Sequence, residues 1–530
     1  MITFDALTLK AFTEECSDFL TNARIQKIQQ PTRRDFIISV RKGGESRKLY
    51  ININPQYYHI CFMSKDNENK RRIEIPQKPP MFCMLLRKHL ENAAIYKVRQ
   101  PKNERIFEIY AESYNELNEK IYLCLAIELM GKHSNVILYN YDTNIILGCA
   151  HNVGSEKSRE RELAGTLPYI YPPKQIKNDI NNYNGGIDYS NLWKDFYLFS
   201  KSFSELCNSR SIEDLRNYTN LRNLCPAVSE DKMLFSLYGN LLDNPIYQEN
   251  VNSMIDNYFS YHQEKEKFLS LKTHFLTDTR QKINRTKNSI NKMSSQIERE
   301  INCDKYRLFG DLIMANLYNL KEYSGKADVF DYENNKNITI ELNPALTLKD
   351  NANKFYKLYN KGKTSKQKLS ELKNELSQTI DYLEQLEYSI ENAENYEDLM
   401  EIKPEIEPDS VKDKSDKRKA TEPEKIIKGG YTIYIGKNNR QNDYIVSKLA
   451  KDEDLWFHTK DCAGSHVLLK GNNPPEELIL ECAKLAKQHS SGGKSSKIGV
   501  IYTKRKNLKK PPKANLGYVT YKNEKEIIID

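Results

Sequence analysis

The chain has 530 residues, of which 39% are hydrophobic and 29% are charged, and its net charge is +9. This length allows about three or four domains, and the composition is typical of a soluble protein with long exposed helices. No apolar run reaches the roughly 18 residues of a membrane span, and the first residues lack the apolar centre of a signal peptide. The ten Cys are scattered with no CxxC pair. We therefore expect a reduced, cytoplasmic location and neither a disulfide framework nor a zinc site.

Residues 1–173 carry the pattern of a mixed α/β domain. Apolar residues at helical spacing open the chain, and a Pro-rich turn at Pro76, Pro79 and Pro80 leads into a second amphipathic helix. The strand signals are the apolar segments ARIQKIQQ, RRDFIISVR, RKLYINI, HICFM, YKVRQPKNERIFEIYAE and KIYLCLAIELMGKHSNVILYN.

Two polar clusters interrupt these strand signals. Glu104 and Arg105 stand at the mouth of one strand, and Glu128 precedes a polar turn between two others. The residues alone leave two interpretations open, a surface ion pair with a β-turn or a binding site. The following region, 174–262, is polar, is predicted to be helical, and carries no functional signal of its own.

Residues 263–400 contain the clearest periodicity in the chain. Two such arms can pair antiparallel within one chain, or each can dimerise in parallel with a second chain. We favour the intramolecular hairpin, because FGDLIMANLYNL and ITIELNP between the arms can form a folded tip. An arm of about 35 residues would project about 50 Å, which suits reach rather than catalysis. The heptad positions are Leu269, Leu276, Ile283, Ile290 and Ile297 in the first arm and Leu369, Leu376, Leu383 and Ile390 in the second.

The C-terminal region is set apart by a linker and by its charge. Residues 401–425 are rich in Pro and charge and almost free of apolar residues, which predicts a flexible linker. Residues 426–530 contain 19 Lys and Arg against 11 Asp and Glu, a net charge of +8. A concentrated basic face favours a polyanion, most often nucleic acid. The strand-like segments IGVIYT and LGYVTY argue against a merely solvated tail.

The stretch 431–470 holds the most unusual chemistry. Alternating apolar residues predict a strand, which is followed by an amide-rich run, Asn438–Asp443. Amide and guanidinium groups present paired donors and acceptors that suit base edges and phosphates. Trp456 beside His458 offers a stacking surface for an unpaired base. The alternative is a polar hairpin loop and a core Trp.

Several blocks resemble the NFACT family of ribosome-associated quality-control factors. GKNNRQND, DLWFHTKD and GSHV resemble its C-terminal RNA-binding module, and PPMFCMLLRKHL, NERIFEI and ELMGKHSNVIL resemble blocks of its N-terminal domain. The resemblance covers nearly the whole chain, with Glu104 where the family commonly has Asp and Leu129 where it commonly has Ile. The compact length is similar to that of bacterial members, some of which have been described as fibronectin-binding proteins.

The resemblance implies a multidomain α/β fold. Its parts would be a mixed α/β N-terminal domain over 1–173, similar to the N-terminal domain of formamidopyrimidine-DNA glycosylases, and a helix-hairpin-helix-like region over 174–262. A long antiparallel coiled-coil hairpin with a folded tip would span 263–400. The linker over 401–425 would then lead to a small α/β RNA-binding module over 426–530.

The resemblance also implies a function. The protein would bind, as a monomer, the large ribosomal subunit with its stalled peptidyl-tRNA, through rRNA and stalk-base proteins. It would recruit tRNA, chiefly alanyl-tRNA, so that the stalled chain gains a C-terminal alanine tail for degradation. The implied role is positioning rather than enzymatic catalysis, without cofactor or metal. The implied tRNA-binding residues are Asp5, Glu104, Arg105, Glu128, Leu129 and Met130, and the RNA-binding residues are Asn438, Asn439, Arg440, Gln441, Asn442, Asp443, Trp456, His458, Lys460 and His466.

Other functions find less support. HSSGGKSS resembles a P-loop, but Gln488 stands where that motif requires its first Gly. The sequence contains no HExxH and no GxSxG. Ile2 stands where the glycosylases use an N-terminal Pro as nucleophile, which disfavours base excision. A surface fibronectin-binding adhesin is the alternative function, and it would require export.

Overall fold

The computed structural model describes residues 4–101, 103–115, 117–156, 160–208, 210–300, 303–331, 334–408, 422–512 and 514–530. The chain divides into two compact units, Met1–Glu266 and Lys267–Asp530. The strands of the first unit are β1 (Arg24–Gln29), β2 (Asp35–Lys42), β3 (Glu45–Asn52), β4 (His59–Phe62), β5 (Ala94–Arg99), β6 (Ile106–Tyr114), β7 (Lys120–Glu128), β8 (Asn135–Asn140), β9 (Ile146–Cys149), β10 (Ala227–Ser229), β11 (Phe235–Ser236) and β12 (Pro245–Tyr247). Its helices are α1 (Ala6–Leu20), α2 (Lys65–Arg71), α3 (Met81–Leu90), α4 (Leu192–Asp195), α5 (Lys201–Leu206), α6 (Ile212–Thr219) and the first part of α7 (Val251–Glu300).

A nine-stranded antiparallel sheet is the centre of the first unit. Its strand order is β4-β3-β2-β1-β5-β6-β7-β8-β9. Helices α1 and α3 cover the sheet with apolar side chains such as Leu9, Phe12 and Leu86, all of which are buried. The mixed α/β N-terminal domain predicted from the alternating apolar residues is therefore confirmed.

The middle of this sheet has an internal two-fold relationship that the sequence analysis missed. TNARIQKIQQP precedes β2, and the similar ENAAIYKVRQP precedes β6. Asn22 and Asn92 both have left-handed backbones, with φ of 66° and 69°, and β1 pairs antiparallel with β5. The relationship extends to Arg34 and Arg105, whose carbonyls accept from Ile53 and Leu129 at 2.8 Å. Arg34 is thus the counterpart of Arg105 in the other half of the sheet.

Residues 174–262 are part of this unit rather than a separate layer. Leu192, Phe196 and Phe203 join the same apolar core as the sheet. The region was predicted to be helical, but it also contains a three-stranded sheet in the order β11-β10-β12. The short strands carry too few residues for a periodic signal, and Ala227 and Val228 become strand residues because they are buried against the core.

A buried ion pair joins α2 to α7 within this unit. Arg71 Nη1 lies 2.5 Å from Asp256 Oδ1, and the two side chains are 1% and 2% exposed. Asp256 also accepts from the Ser64 amide at 3.0 Å and from Asn67 Nδ2 at 2.8 Å. Burial raises the pKa of Asp256, but Arg71 and these hydrogen bonds outweigh burial and hold it below its ordinary value.

We predict that Asp256→Ala lowers the free energy of unfolding of the first unit by about 3–5 kcal/mol, because the buried Arg71 charge loses its carboxylate partner. Urea unfolding followed by Trp193 fluorescence, in a Trp456→Phe background, measures the loss. Glu45→Ala, which removes an exposed ion pair within the first unit, should cost about 0–1 kcal/mol. The depressed pKa of Asp256 places its stabilisation above the unfolded pKa of about 4. That stabilisation should disappear as the pH falls through the folded pKa of Asp256. Equal losses of unfolding free energy in the two variants would contradict the prediction.

The second unit contains the rest of α7 and all later elements. Its helices are α8 (Asp304–Ala315), α9 (Leu348–Glu391), α10 (Tyr396–Ile406), α11 (Asn439–Tyr444) and α12 (Glu476–Gln488). Its strands are β13 (Lys326–Asp331), β14 (Lys336–Glu341), β15 (Glu424–Lys428), β16 (Tyr431–Ile435), β17 (Leu455–Thr459), β18 (Val467–Lys470), β19 (Ile498–Lys504), β20 (Leu508–Lys509), β21 (Thr520–Tyr521) and β22 (Lys525–Ile529). None of the helices described is long and apolar enough to span a membrane.

The long helices α7 and α9 contact each other through ion pairs and an apolar seam. Arg280 bonds Glu387 and Glu391, and Lys287 bonds Glu384, so rising residue numbers on α7 meet falling numbers on α9. Between the two helices, α8 and the β13–β14 hairpin form a separate apolar core with the start of α9.

In the first arm, the predicted heptad positions Leu276 and Ile283 pack in the seam, whereas Leu269 does not. Leu269 is 49% exposed, whereas Phe275 and Ile283 are buried and Phe268 is half-buried against the same cluster. The second arm follows the prediction more closely, with Leu383 and Ile390 buried. The larger aromatic side chains of Phe268 and Phe275 fill the seam, which moves the smaller Leu269 out to solvent.

The C-terminal part of the unit is a six-stranded sheet in the order β15-β16-β18-β17-β19-β22, with α12 packed on one face. Residues 401–406 of the predicted linker are the end of α10, because Leu399, Ile402 and Ile406 pack against the long helices. Residues 424–425 begin β15, and the part of the predicted linker over 409–421 lies outside the described residues.

Candidate nucleic-acid interfaces

The first unit holds a cavity of about 300 Å³ that brings together three of the predicted tRNA-binding residues, Asp5, Glu104 and Arg105. The other lining residues come mainly from the region that carried no functional signal in the sequence. They are Ala6, Asn103, Gln175, Lys177, Trp193, Tyr197, Leu198, Phe199, Ser200 and Lys201.

Asp5 is a helix-capping residue at this cavity. Its Oδ1 accepts from the Thr8 amide at 2.8 Å and from Thr8 Oγ1 at 2.7 Å, and its Oδ2 accepts from Ser200 Oγ at 2.7 Å. These bonds occupy both carboxylate oxygens, and the residue is only 9% exposed. Asp5 therefore starts α1 and holds the Ser200 segment against it.

Arg105 is positioned by the sheet and by one tyrosine. Its carbonyl accepts from the Leu129 amide at 2.8 Å, and its Nη1 donates to the Tyr58 hydroxyl at 3.1 Å. The guanidinium carbon lies 5.9 Å from the centre of the Tyr58 ring. A guanidinium has five N–H donors, so the half-buried Arg105, with one side-chain hydrogen bond to the part of the chain that the structure describes, can still bind a phosphate or a guanine edge.

Glu104 and Lys177 bring opposite charges to the same cavity. Burial raises the pKa of Glu104, although Arg105 and Lys177 act to lower it. Burial also lowers the pKa of Lys177, with Glu104 opposing that change and Arg105 adding to it. Gln175 Nε2 lies 3.4 Å from Glu104 Oε2. The cavity thus offers both an acceptor and a donor to a polar ligand.

The block Glu128–Met130 lies beside this cavity but does not line it. Glu128 and Leu129 are fully buried, and Glu128 forms a paired contact with Arg161 and accepts from the Tyr169 hydroxyl at 2.9 Å. Met130 is half-buried against the same cluster as Tyr169. The block therefore supports Arg105 through the β6–β7 pairing, and direct tRNA contact by its side chains stays a prediction.

The second unit holds a larger cavity, of about 590 Å³, that contains five of the predicted RNA-binding residues. One wall comes from α9, and the others come from α11, β17, the following loop and the basic C-terminal segment. Its lining residues are Asp381, Tyr382, Glu384, Gln385, Asn439, Asn442, Trp456, His458, Thr459, Asp461, Cys462, Ala463, His466, Ile501, Leu516, Gly517, Tyr518, Val519, Thr520 and Tyr521.

The amide-rich run is a helix, α11, and not the loop that the sequence suggested. Asn438 caps it, its Oδ1 accepting from the Gln441 amide at 2.9 Å. Asn438 and Asn439 donate to Glu401 and Glu405 of α10, each at 3.0 Å. Four of the six residues are buried: Asn438, Asn439, Gln441 and Asn442. The run folds as a helix because the acidic residues of α10 satisfy its amides in a buried setting.

Trp456 is a core residue, in agreement with the alternative noted for the sequence. It is 2% exposed and packs with Ile445, Leu468 and Ile501 on the sheet face opposite α12. The His458 ring, two residues along the same strand, is parallel to the indole at 5.8 Å. Buried on this face, Trp456 cannot present an open ring for stacking.

Three polar atoms at this cavity have no hydrogen-bond partner among the described residues: Asn439 Oδ1, Trp456 Nε1 and His466 Nδ1. Each residue is buried, with exposed fractions of 1%, 2% and 4%. Burial and the neighbouring His458 hold the pKa of His466 well below its ordinary value, so the ring is neutral. Unpaired buried polar atoms are rare and costly, so three of them beside one cavity call for a bound water or a ligand.

The three charged members of the predicted set, Arg440, Asp443 and Lys460, lie nearer the surface. Arg440 is half-buried, and Lys460 Nζ lies 2.9 Å from Glu526. Asp443 pairs with Lys510 and accepts from the Gly517 amide, which ties the basic segment to α11.

The sequence analysis missed the partners that complete both cavities. Lys177 lines the first cavity and Tyr58 bonds Arg105 there, whereas Asp381, Gln385 and Tyr521 line the second. No local signal marks these residues, since each comes from a segment distant in the sequence from the predicted ones.

The architecture and these sites define a class, a multidomain α/β protein with one polar cavity beside an antiparallel sheet and a second in a basic C-terminal domain, both compatible with RNA. Residues 5–204 and 198–424 match the family described as NFACT N-terminal and middle domains, and residues 425–523 match the NFACT protein RNA binding domain. The chain belongs to the NFACT family.

Known relatives match over the full length. The chain is 30% identical to the Rqc2 homolog RqcH of Bacillus subtilis (strain 168), covering 100% of this chain and 98% of that protein. It is 28% identical to the Rqc2 homolog RqcH of Streptococcus pneumoniae serotype 2 (strain D39 / NCTC 7466), covering 99% and 97%. The N-terminal part of the fibronectin/fibrinogen-binding protein from Streptococcus suis aligns with a TM-score of 0.44 at 26% identity, covering 49% of this chain and 100% of that one.

We predict that Glu128→Ala and Arg105→Ala separate structural support from ligand contact. Glu128→Ala leaves Arg161 without its buried partner and should cost about 3–5 kcal/mol of unfolding free energy. Arg105→Ala removes a half-buried side chain with one hydrogen bond and should cost about 1 kcal/mol or less. Thermal unfolding of both variants checks this, and a large loss for Arg105→Ala would make its role structural.

Proposed function

We propose that this protein acts in ribosome-associated quality control, as its full-length likeness to RqcH suggests. Its partner would be the large ribosomal subunit that still carries a stalled peptidyl-tRNA. Contacts with rRNA would come from the C-terminal domain, whose family description is RNA binding and whose net charge is +8. Such a partner implies work in the cytoplasm.

The grouping of Asp5, Glu104 and Arg105 at one cavity carries the finer part of the proposal. The protein would recruit tRNA there, with Arg105 contacting a phosphate or a base edge and Glu104 accepting from an exocyclic amine. The tRNA would be chiefly alanyl-tRNA, so that the stalled chain gains a C-terminal alanine tail. The described residues of this chain favour neither the fibronectin-binding alternative nor export.

The proposed mechanism is positioning. Peptide-bond formation would be catalysed by the ribosome, and the protein would convert a rare encounter between tRNA and the subunit into a local one. The ion pairs and the apolar seam between α7 and α9 support an antiparallel coiled-coil arm. We propose that this arm, with the α8 and β13–β14 core at its end, reaches the stalk base while the protein acts as a monomer.

RNA sequencing of material that co-purifies with the tagged full chain tests this function. We expect rRNA of the large subunit together with one enriched tRNA, and we expect Arg105→Ala to reduce that tRNA at least about tenfold, a loss of about 1.4 kcal/mol of binding. Arg34→Ala is the matched control, because Arg34 is the exposed counterpart of Arg105 in the other half of the sheet.

The two parts of the proposal can fail separately. Large-subunit rRNA without any enriched tRNA would leave ribosome binding and remove tRNA recruitment. Recovery of no RNA would contradict the whole function. Equal tRNA loss in both arginine variants would mean that charge alone, and not the cavity, holds the tRNA.

A further inference from the structure

We infer that the cavity in the second unit binds one unpaired RNA base, and that it favours bases with an exocyclic amine over uracil. This inference rests on the proposed RNA-binding function and assigns a ligand to one cavity of the C-terminal domain. It also gives α9, a helix of the predicted coiled coil, a direct part in base recognition.

The unpaired polar atoms of the cavity restrict the chemistry of the ligand. Asn439 Oδ1 can only accept a hydrogen bond, Trp456 Nε1 can only donate one, and the neutral His466 Nδ1 can do either. A ligand that satisfies them must therefore carry both a donor and an acceptor. Nucleobases carry both on one flat edge.

Two other ligand chemistries fit less well. A Lys or Arg side chain of a protein partner carries donors only, and would leave Trp456 Nε1 unpaired. A phosphate carries acceptors only, and it would meet the carboxylates of Asp381, Glu384 and Asp461 on the cavity wall. The phosphates of a bound strand therefore belong outside the cavity, near the basic residues of the C-terminal segment.

The orientation of Asn439 is fixed by the protein. Its Nδ2 donates to Glu405 Oε2 at 3.0 Å, and the Tyr382 hydroxyl donates to the same oxygen at 2.7 Å. Glu405 thus holds the amide with its oxygen free as an acceptor. Together with the carboxylates of Asp381 and Asp461, this oxygen gives the cavity wall three acceptor groups, which favours the exocyclic amines of adenine, cytosine and guanine over uracil.

The size and the aromatic lining also fit a base. A volume of about 590 Å³ lies within the range of about 300–1,000 Å³ typical of small-molecule sites. Tyr521 is 38% exposed and His458 is half-buried, so both can offer a ring face to an entering base. Trp456 contributes its N–H to the floor of the cavity, a different role from the open stacking surface suggested by the sequence.

Binding of labelled RNA hexamers to the full chain, measured by fluorescence anisotropy, tests the inference. We expect oligo(C) and oligo(A) to bind at least about fivefold more tightly than oligo(U), the equivalent of one hydrogen bond. Trp456→Phe keeps an aromatic ring but removes the N–H donor together with the second ring of the indole, and should weaken oligo(C) binding about fivefold. Circular dichroism checks that this buried variant folds.

Asp381→Asn supplies a second variant at an exposed position, where folding is not at risk. This substitution replaces a carboxylate, which only accepts, with an amide, which both donates and accepts. It should therefore reduce the ratio of the oligo(C) affinity to the oligo(U) affinity about threefold. Glu375→Gln is the matched control, an exposed carboxylate on the same helix that does not line the cavity.

Each remaining outcome overturns the inference. Equal binding of all three hexamers, unchanged in both variants, would remove the base cavity and leave RNA binding by the basic surface intact. Failure of every hexamer to bind while large-subunit rRNA still co-purifies would do the same. If the variants instead weaken binding of an oligoarginine peptide and leave RNA unaffected, the cavity holds a cationic protein segment. If the unsubstituted chain bound no RNA of any kind, both the proposed RNA-binding function and the base cavity would be contradicted.

Discussion

The second unit depends on one paired contact between a side chain and the backbone. Gln385 Nε2 donates to the Gly464 carbonyl, and the Gly464 amide donates back to Gln385 Oε1, both at 2.7 Å. This contact fixes α9 against the loop after β17, so that a helix of the long arm becomes a wall of the RNA-binding domain. A Cβ at Gly464 would lie 2.8 Å from Ser490 Cβ, which explains why glycine occupies the position.

Around this contact, buried polar groups are arranged at a cost to stability. Glu401 and Glu405 pair with the amides of α11, and burial raises the pKa of Glu405 above its ordinary value although Tyr382 and Asn439 act to lower it. Each unpaired buried polar atom costs about 1–3 kcal/mol. A protein that keeps several such atoms at one cavity gives up stability for binding, and the same reasoning applies to the half-buried charges beside Arg105 in the first unit.

Much of the fold could be predicted from the sequence, because apolar periodicity is local. The strands of the N-terminal sheet and the long helices follow directly from it. The predicted heptad is wrong at Leu269, because the larger side chains of Phe268 and Phe275 fill the seam there. The burial of the amide run could not be predicted from the sequence. Its hydrogen-bond partners, such as Glu405, lie in a segment whose charge and Pro content predicted a linker.

Only those residues of the candidate sites that a local pattern marks could be predicted from the sequence. Unusual residue types marked Arg105, Trp456 and the amide run, but burial decides how such residues act, and burial depends on distant segments. Trp456 and His458 share a sheet face, as their spacing requires, yet the Trp456 indole is covered there by Leu508 and by Tyr521. A cavity whose walls are far apart in the sequence leaves no local pattern.

Ultraviolet cross-linking of the full chain to bound large ribosomal subunits, followed by peptide mapping, tests the central claim most directly. That claim is that both cavities face RNA when the protein is on the ribosome. It predicts cross-links to rRNA or tRNA at Trp193 or Tyr197 in the first unit and at His458 or Tyr521 in the second. Cross-links confined to surfaces away from both cavities would contradict it.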